Sequence, residues 1–278
     1  MAKKHSALLM RTYVILVFCF MYLPIAVMIA FSFNESKSRS NFTGFTLGWY
    51  KSLFHNEMIL SALGLSLVLA LVSSVIATVL GTLATIGINS MSRKSQLIVN
   101  NISYVPVVNP EIITGISLML MFVFVGQMMG LSTSLNFGTI LIAHVTFCLP
   151  FVILQVLPKL RQMDNNLVDA AQDLGCTWMQ AFWKVIIPEI KPGIVSGALT
   201  AFTMSVDDFI ISYFTAGTSA STLAMTIYGM TKKRVSPEIN AVSTLLFVTV
   251  IILLAIINLR ENLSLIHISE PTRRSYIS

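Results

Sequence analysis

The sequence predicts an all-α polytopic membrane protein with six transmembrane helices. Of its 278 residues, 55% are hydrophobic and 11% are charged, whereas soluble domains carry about 25% charged residues. Its mean hydropathy is +0.80. Apolar stretches recur along the chain, and each is long enough to cross a bilayer as a helix. These observations exclude a soluble globular fold.

Short polar segments separate the six predicted spans. The spans lie at about residues 12–33, 59–88, 97–125, 137–157, 193–216 and 239–259. The third is longer than a bilayer requires, and Pro106 and Pro110 inside it must break its hydrogen-bond ladder. Such breaks are tolerated at membrane depth mainly where the segment is covered by protein or lines a cavity.

Two spans carry a face of small residues at every fourth position. These residues are Ser73, Ala77, Gly81 and Thr85 in the second span and Gly193, Gly197, Ala201 and Ser205 in the fifth. Residues four apart lie on one side of a helix, and small residues let two membrane helices approach closely. We therefore expect each of these spans to pack tightly against a neighbouring helix.

The charges indicate the orientation of the chain. The net charge of +6 is divided among many short loops, which argues against a nucleic-acid-binding surface. Both termini and the loops after the second and fourth spans share one side, and that side carries the larger share of the Lys and Arg residues. The positive-inside rule then places both termini in the cytoplasm. The three cysteines fit no metal or disulfide framework.

The longest charged segment between spans, residues 158–192, predicts two short cytoplasmic helices. Asn166 is placed to cap the first helix, with Asp169 three residues later completing a capping box. Gly175 is placed to end this helix, because glycine readily adopts the left-handed conformation that a helix end often needs.

The second helix of this segment has its own boundary signals. Thr177 and Gln180 repeat the capping-box spacing, and Pro188 is expected to stop the helix. In the first helix, the small side chains of Ala170 and Ala171 would let another protein approach the backbone closely.

The spacing across both helices resembles the EAA loop of ABC-importer permeases. The matching residues are Asp169, Ala170, Ala171, Gly175 and, after nine residues, the apolar stretch that ends at Pro188. Asp169 replaces the usual Glu and Ile187 the usual Leu, which conserves charge and apolar character. The resemblance implies an ABC-importer type I permease fold, in which these residues couple to an ATPase subunit dimer. The alternative is a cytoplasmic helix-turn-helix without a partner.

Four ionisable residues lie inside apolar spans: Glu111, His144, Asp207 and Asp208. An Asp at a helix centre in the membrane costs at least about 2.5–3.5 kcal/mol, so such residues usually face the bundle interior or water. Counted at about 1.5 Å per residue, Glu111, His144 and Asp208 reach a similar depth, and Asp207 is turned about 100° from Asp208. The alternative for these groups is internal hydrogen bonding between helices, or acids that are protonated and therefore neutral.

Four segments resemble the permeases of spermidine/putrescine ABC importers, and most closely the second of the two paralogous permeases. They are PEIITGISLML at 110–120, AHVTFCLPFVI at 143–153, TMSVDDFIISYF at 203–214 and VSPEINAVSTL at 235–245. The resemblance implies a paralogous permease subunit, an ATPase dimer and an extracytoplasmic polyamine-binding protein at the bacterial inner membrane. With the carboxylates above, it predicts a substrate pathway lined by Glu111 and at least one of Asp207 and Asp208. His144 is expected to support a neighbouring helix.

The sequence offers no catalytic motif. It contains no G-x-x-x-x-G-K-[ST], H-E-x-x-H or G-x-S-x-G pattern, so we expect no enzyme activity and no cofactor in this chain, with ATP bound by the partner ATPase. One alternative is an ABC permease for another small solute, such as thiamine or iron. A non-transporting sensor or scaffold is a second, and the EAA-like loop argues against it.

The end of the chain differs from the rest. Residues 263–278 include LSLIHISEPTR and show no periodicity and no helix caps. The same letters result from in-frame translation of a common sequencing adapter. We therefore assign the permease domain to residues 1–262 and interpret residues 263–278 as a non-native or disordered tail.

Overall fold

The chain is predominantly helical in a computed structural model, which describes residues 2–36, 41–130, 135–164, 166–218, 220–233 and 237–268. The helices are α1 (Ala2–Ser32), α2 (Gly48–Leu53), α3 (Glu57–Asn89), α4 (Arg93–Val108), α5 (Glu111–Met128), α6 (Phe137–Gln162), α7 (Asn166–Asp173), α8 (Trp178–Ala181), α9 (Ile187–Asp207), α10 (Ile210–Thr215), α11 (Leu223–Lys233) and α12 (Pro237–Ile268). A π-helical turn, Phe182–Ile186, joins α8 to α9. The predicted all-α class is confirmed.

Within the part of the chain that the structure describes, five helical segments are long and apolar enough to cross a membrane. They are Leu9–Ser32, Glu57–Asn89, Glu111–Met128, Phe137–Gln162 and Trp178–Asp207. The sixth predicted span falls in α12, and the part of α12 over which side chains are described, Pro237–Ile252, is an apolar helix. The helical backbone of α12 continues to Ile268, past the predicted start of the tail, and residues 269–278 lie outside the described part of the chain.

The chain divides into two compact units, Met1–Leu60 with Ile227–Ser278 and Ser61–Thr226. In the first unit, α12 packs on α1 and α2, and Ser52 Oγ donates a 2.7 Å hydrogen bond to Glu238 Oε1. The loop after α1 is organised by the buried Asn34. Its side chain bonds the backbones of Asn41 and Thr43, and its carbonyl accepts from Trp49 Nε1.

The second unit is built around α6, which packs extensively on α9. A Cβ placed on Gly81 of α3 would lie 2.7 Å from Val152 Cγ1 of α6, and one on Gly197 of α9 would lie 3.2 Å from the same atom. Both small-residue faces therefore pack closely against α6 around Val152, as predicted. At Gly193, a Cβ would lie 2.9 Å from the Gln155 carbonyl oxygen, so α6 and α9 are in near-backbone contact there.

The third predicted span is two helices, α4 and α5, and not one broken helix. Asn109 between them is extended, with ψ 136°. The ring of Pro110 disfavours the helical conformation at the residue before it, which explains the position of the break. Pro106 lies inside α4. Because it has no N–H, it removes one hydrogen bond of the ladder, as predicted, but the helix continues through it.

The fifth predicted span also differs from the prediction. Helical structure runs from Trp178 through the π-helical turn to Asp207, so Pro188 does not stop it. The Ile187 N–H bonds the Phe182 carbonyl in the wider i to i−5 pattern. This rearranged ladder reaches the first turn of α9, where a proline, which lacks the N–H, is accommodated. The helix ends before Asp208, which is extended with ψ 125°, and resumes as α10.

Candidate functional sites

The first of two candidate sites is the segment between α6 and α9. Asp164 Oδ1 accepts a 3.0 Å hydrogen bond from the Asn166 N–H, and α7 begins at Asn166. Asn166 is thus the first helical residue, and the prediction that it caps α7 is wrong. The carboxylate of Asp164 is placed to supply that function because an acidic group suits the N-terminal end of a helix.

Gly175 ends α7, as predicted. Its φ is +88°, its N–H bonds the Gln172 carbonyl at 2.8 Å, and the Cys176 N–H bonds the Ala171 carbonyl at 3.0 Å. These two bonds form a Schellman motif, which satisfies carbonyls that the helix end would otherwise leave unpaired. The motif turns the chain sharply toward α8.

The predicted capping box of α8 is present. The Thr177 N–H donates to Gln180 Oε1 at 2.9 Å, and the Gln180 N–H donates to Thr177 Oγ1 at 3.4 Å. Phe182, at the start of the π-helical turn, is buried and stacks on Trp178, with 5.6 Å between the ring centroids. Val168 of α7 packs against the same core, so α7 and α8 are both anchored to the end of α9.

The outer side of this segment is apolar and exposed. Its members are Leu167, Leu174, Trp178, Met179 and Trp183, which we call the α7–α8 surface. Leu174 is 87% exposed and Trp183 is 62% exposed. Asp169, Ala170, Gly175 and Pro188 are exposed and Ala171 is half-buried. Several large apolar side chains exposed on one charged segment between spans are typical of a protein-binding site.

The second candidate site lies where α9 breaks. Asp208 accepts hydrogen bonds with both carboxylate oxygens: Oδ1 from the Ile211 N–H at 3.2 Å, and Oδ2 from the N–H and the hydroxyl of Ser212, each at 2.8 Å. Its side chain is 2% exposed. Asp208 therefore satisfies the free N–H groups at the start of α10.

His144 of α6 joins the two sides of the break. Nδ1 lies 2.7 Å from Ser205 Oγ of α9, and Nε2 lies 2.9 Å from Ser212 Oγ of α10 and 3.4 Å from Asp208 Oδ2. Ser205 Oγ lies 3.0 Å from Ser73 Oγ of α3. A buried chain of polar groups therefore connects four helices through His144.

Asp207 and Glu111 have a different environment from that of Asp208. Asp207 is the last residue of α9, Glu111 is the first residue of α5, and both are exposed. Neither carboxylate forms a hydrogen bond or an ion pair among the described residues. Their helices approach through α10, which packs on α5. A Cβ on Gly115 would lie 3.5 Å from the Ile210 carbonyl oxygen.

The structure therefore separates the four ionisable residues into two groups. His144 and Asp208 are buried and share the hydroxyl of Ser212 as a hydrogen-bond partner. Glu111 and Asp207 lie exposed at helix ends. The depth of Glu111 in the membrane was estimated as if the third span were one straight helix. That estimate does not apply, because the chain turns at Asn109. The sequence places Ser205 and Ser73 only on faces for close helix packing. Their hydrogen bond to each other and the contact of Ser205 with His144 join segments that are distant in sequence.

Comparison with known proteins identifies the family. Residues 77–262 match the family described as the binding-protein-dependent transport system inner membrane component. The chain belongs to this family. Members of this family are permease subunits of ABC importers. Such a permease subunit is not an enzyme, and ATP hydrolysis belongs to a separate ATPase. Importers of this type work with a substrate-binding protein.

Three curated relatives of this permease are similar over most of their length. The putrescine transport system permease protein PotI of Escherichia coli strain K12 is 37% identical, with 82% of each chain covered. The spermidine/putrescine transport system permease protein PotC of the same strain is 35% identical, over 84% of this chain and 86% of PotC. PotC of Haemophilus influenzae is 32% identical, over 86% and 91%.

Solved structures show the same fold in this permease. A bacterial ABC transporter involved in the import of the acidic polysaccharide alginate superimposes with a TM-score of 0.70 at 19% identity, covering 94% of this chain and 96% of that one. The alginate transporter in complex with an alginate pentasaccharide-bound periplasmic protein gives 0.69 at 19% identity, covering 93% of both chains. The predicted ABC-importer permease fold is confirmed.

Proposed function

We propose that this permease forms part of a polyamine translocation pathway through the bacterial inner membrane. The observation that carries the proposal is the pair of exposed carboxylates, Glu111 and Asp207, which lack partners among the described residues and lie at helix ends beside α10. Polyamines are polycations at neutral pH. The relatives named above are putrescine and spermidine permeases, which supports the same substrate class.

The charge arrangement fits a cationic substrate. A carboxylate in an apolar helical environment is costly unless it is paired or faces water, and within the described residues no lysine or arginine lies against either group. Ammonium groups of a diamine or triamine would supply charge-assisted hydrogen bonds to both carboxylates. A neutral solute would leave these charges uncompensated when water is displaced.

The α7–α8 surface is the proposed contact with the ATPase dimer. Asp169 and Ala170 of α7 and Gly175 after it are exposed, Ala171 is half-buried, and Trp183 and Leu174 in the same segment are exposed as well. ATP binding would close the ATPase dimer, move this segment, and change access to the pathway. The assignment places the segment and both termini in the cytoplasm, which agrees with the distribution of Lys and Arg.

Two further partners complete the proposed importer. A paralogous permease subunit would supply the other half of the pathway, and an extracytoplasmic polyamine-binding protein would deliver the substrate. Membrane lipid would surround the apolar helices, several of which expose large hydrophobic side chains, such as Phe20 and Leu71.

Uptake by the reconstituted complex tests the substrate class. The full chain is incorporated into proteoliposomes with its paralogous permease, the ATPase and the binding protein, and ATP-dependent accumulation of radiolabelled putrescine and spermidine is measured. We expect uptake that excess unlabelled polyamine suppresses and that thiamine does not. Uptake of thiamine or ferric iron in place of polyamine would overturn the proposal and favour another solute.

A further inference from the structure

We propose that Asp208 is a positioning residue and not a ligand of the substrate. With His144 it clamps the break between α9 and α10, and the clamp holds the adjacent Asp207 carboxylate in place for the polyamine. This inference rests on the proposed function, because it assigns Asp207 to the substrate pathway. Two adjacent aspartates are thereby given different roles: Asp207 contacts the substrate and Asp208 positions Asp207.

The hydrogen bonds of Asp208 carry the first part of the inference. Its two oxygens accept from Ile211 and, twice, from Ser212, and its side chain is 2% exposed. A carboxylate with this many internal donors, closed off from solvent, has little capacity left for an ammonium group. Asp207 is exposed, and within the described residues it has no partner.

The serine hydroxyls and the imidazole of this network can be arranged so that every hydrogen bond has one donor and one acceptor. In the neutral imidazole one ring nitrogen donates and the other accepts. If the proton of His144 is on Nε2, it donates to Ser212 Oγ, which in turn donates to Asp208 Oδ2. Nδ1 then accepts from Ser205, which accepts from Ser73. Every hydrogen bond in this chain points toward Asp208.

The position of these contacts along the chain explains their effect on Asp207. Ser205 precedes Asp207 by two residues, and Asp208 follows it directly. Both flanks are held to one imidazole of α6, so the end of α9 cannot rotate independently of α10. The break itself removes the backbone hydrogen bonds that would otherwise fix this segment, and the buried side-chain network replaces them.

The same clamp reaches the second carboxylate. α10 packs on α5 at Gly115, where a Cβ would lie 3.0 Å from Phe214 Cδ2. Glu111 is one helical turn before Gly115 on α5 and therefore on the same face of that helix. Displacing α10 would thus change the geometry of both proposed substrate contacts, Asp207 and Glu111.

The test measures KM and kcat for putrescine transport by the reconstituted complex. We expect Asp208→Ala to raise KM by about tenfold, the size expected for loss of one charge-assisted network contact, with kcat within about twofold. Asp208→Asn retains an acceptor for the α10 N–H groups and should restore KM to within about threefold of the wild type. If Asp208 bound the ammonium groups directly, Asp208→Asn would be as damaging as Asp207→Asn.

A double variant shows whether Asp208 acts through Asp207. Once Asp207→Asn has removed the substrate contact, adding Asp208→Ala should raise KM no further, because coupled residues give non-additive effects. Additive losses would overturn the inference. An unchanged KM in Asp208→Ala, with Asp207→Asn impaired, would overturn it and leave the proposed function intact. No effect of Asp207→Asn would instead contradict the proposed function.

Two milder variants apply if Asp208→Ala fails to assemble. Ser212→Ala removes the hydroxyl that links His144 to Asp208 but keeps the backbone hydrogen bond, and Ser205→Ala removes the link on the α9 side. Each should raise KM while complex yield and ATPase activity without substrate stay at the wild-type level. Wild-type KM in both would overturn the inference.

Discussion

At the scale of single residues, two adjacent acids have different environments because a helix ends between them. Asp207 closes α9 and is exposed, whereas Asp208 is extended and buried. The sequence predicted that Glu111, Asp207, Asp208 and His144 are polar groups in apolar spans. It could not predict which were partnered, since the partner of Asp208 lies on α6 and the bonds to Ser212 require the helix break.

Gly175 gives a residue-scale prediction. Its φ of +88° is strained for any residue with a Cβ, although a Cβ there would meet nothing within 4 Å. Gly175→Ala should destabilise the end of α7 by about 1–2 kcal/mol and reduce substrate-stimulated ATP hydrolysis of the complex. Gly87→Ala is the matched control, because Gly87 has equal space and no positive φ. Normal stimulation in Gly175→Ala would contradict a coupling role for this helix end.

At the scale of elements, α6 is the helix against which the small-residue faces of α3 and α9 pack. The recurrence of small residues at every fourth position predicted both faces, because residues four apart lie on the same side of a helix. It did not predict Pro188 inside continuous helical structure, since the π-helical turn that accommodates it depends on packing of Phe182 and Ile186. The break at Asn109 was expected from Pro110, but its division of the third span into two separate helices was not.

Packing around Val152 gives an element-scale prediction. A Cβ on Gly81 would lie 2.7 Å from Val152 Cγ1, so Gly81→Ala should lower stability by about 1–3 kcal/mol through overpacking. Adding Val152→Ala should recover part of the loss because it removes the Cγ1 methyl, whereas the Cβ at 2.8 Å remains. Gly64→Ala, in open space on the same helix, serves as the control. The thermal stability of the wild type, the two single glycine variants and the double variant is measured by unfolding in detergent. Equal stability of Gly81→Ala and Gly64→Ala would refute the close contact.

At the scale of the whole molecule, the permease has a proposed docking surface for a partner and a proposed pair of carboxylates for a substrate. The α7–α8 surface supplies the first and Glu111 with Asp207 the second. The sequence was sufficient for the family and the fold, since membrane spans and the EAA-like spacing are local patterns. The orientation of side chains around α10 was not predictable, because it depends on contacts among α5, α6, α9 and α10.

Docking of the ATPase gives a whole-molecule prediction. Leu174 is 87% exposed, and a charge there would be desolvated in an apolar interface. Leu174→Asp should weaken co-purification of the ATPase by roughly tenfold or more without changing thermal stability. Phe54→Asp changes another exposed apolar residue, 64% exposed, outside the α7–α8 surface. Retention of the ATPase by Phe54→Asp and its loss from Leu174→Asp is the expected result, and equal retention would exclude this surface as the docking site.

The most direct test of the account is putrescine uptake after the two exposed carboxylates are neutralised one at a time. Glu111→Gln and Asp207→Asn should each reduce the initial rate at low putrescine by tenfold or more, because losing a charged partner typically costs about 2–5 kcal/mol. Glu57→Gln, which changes an exposed Glu in the first turn of α3, should transport at the wild-type rate. Wild-type uptake by Glu111→Gln and Asp207→Asn, in complexes that assemble normally, would contradict a polyamine pathway at these residues.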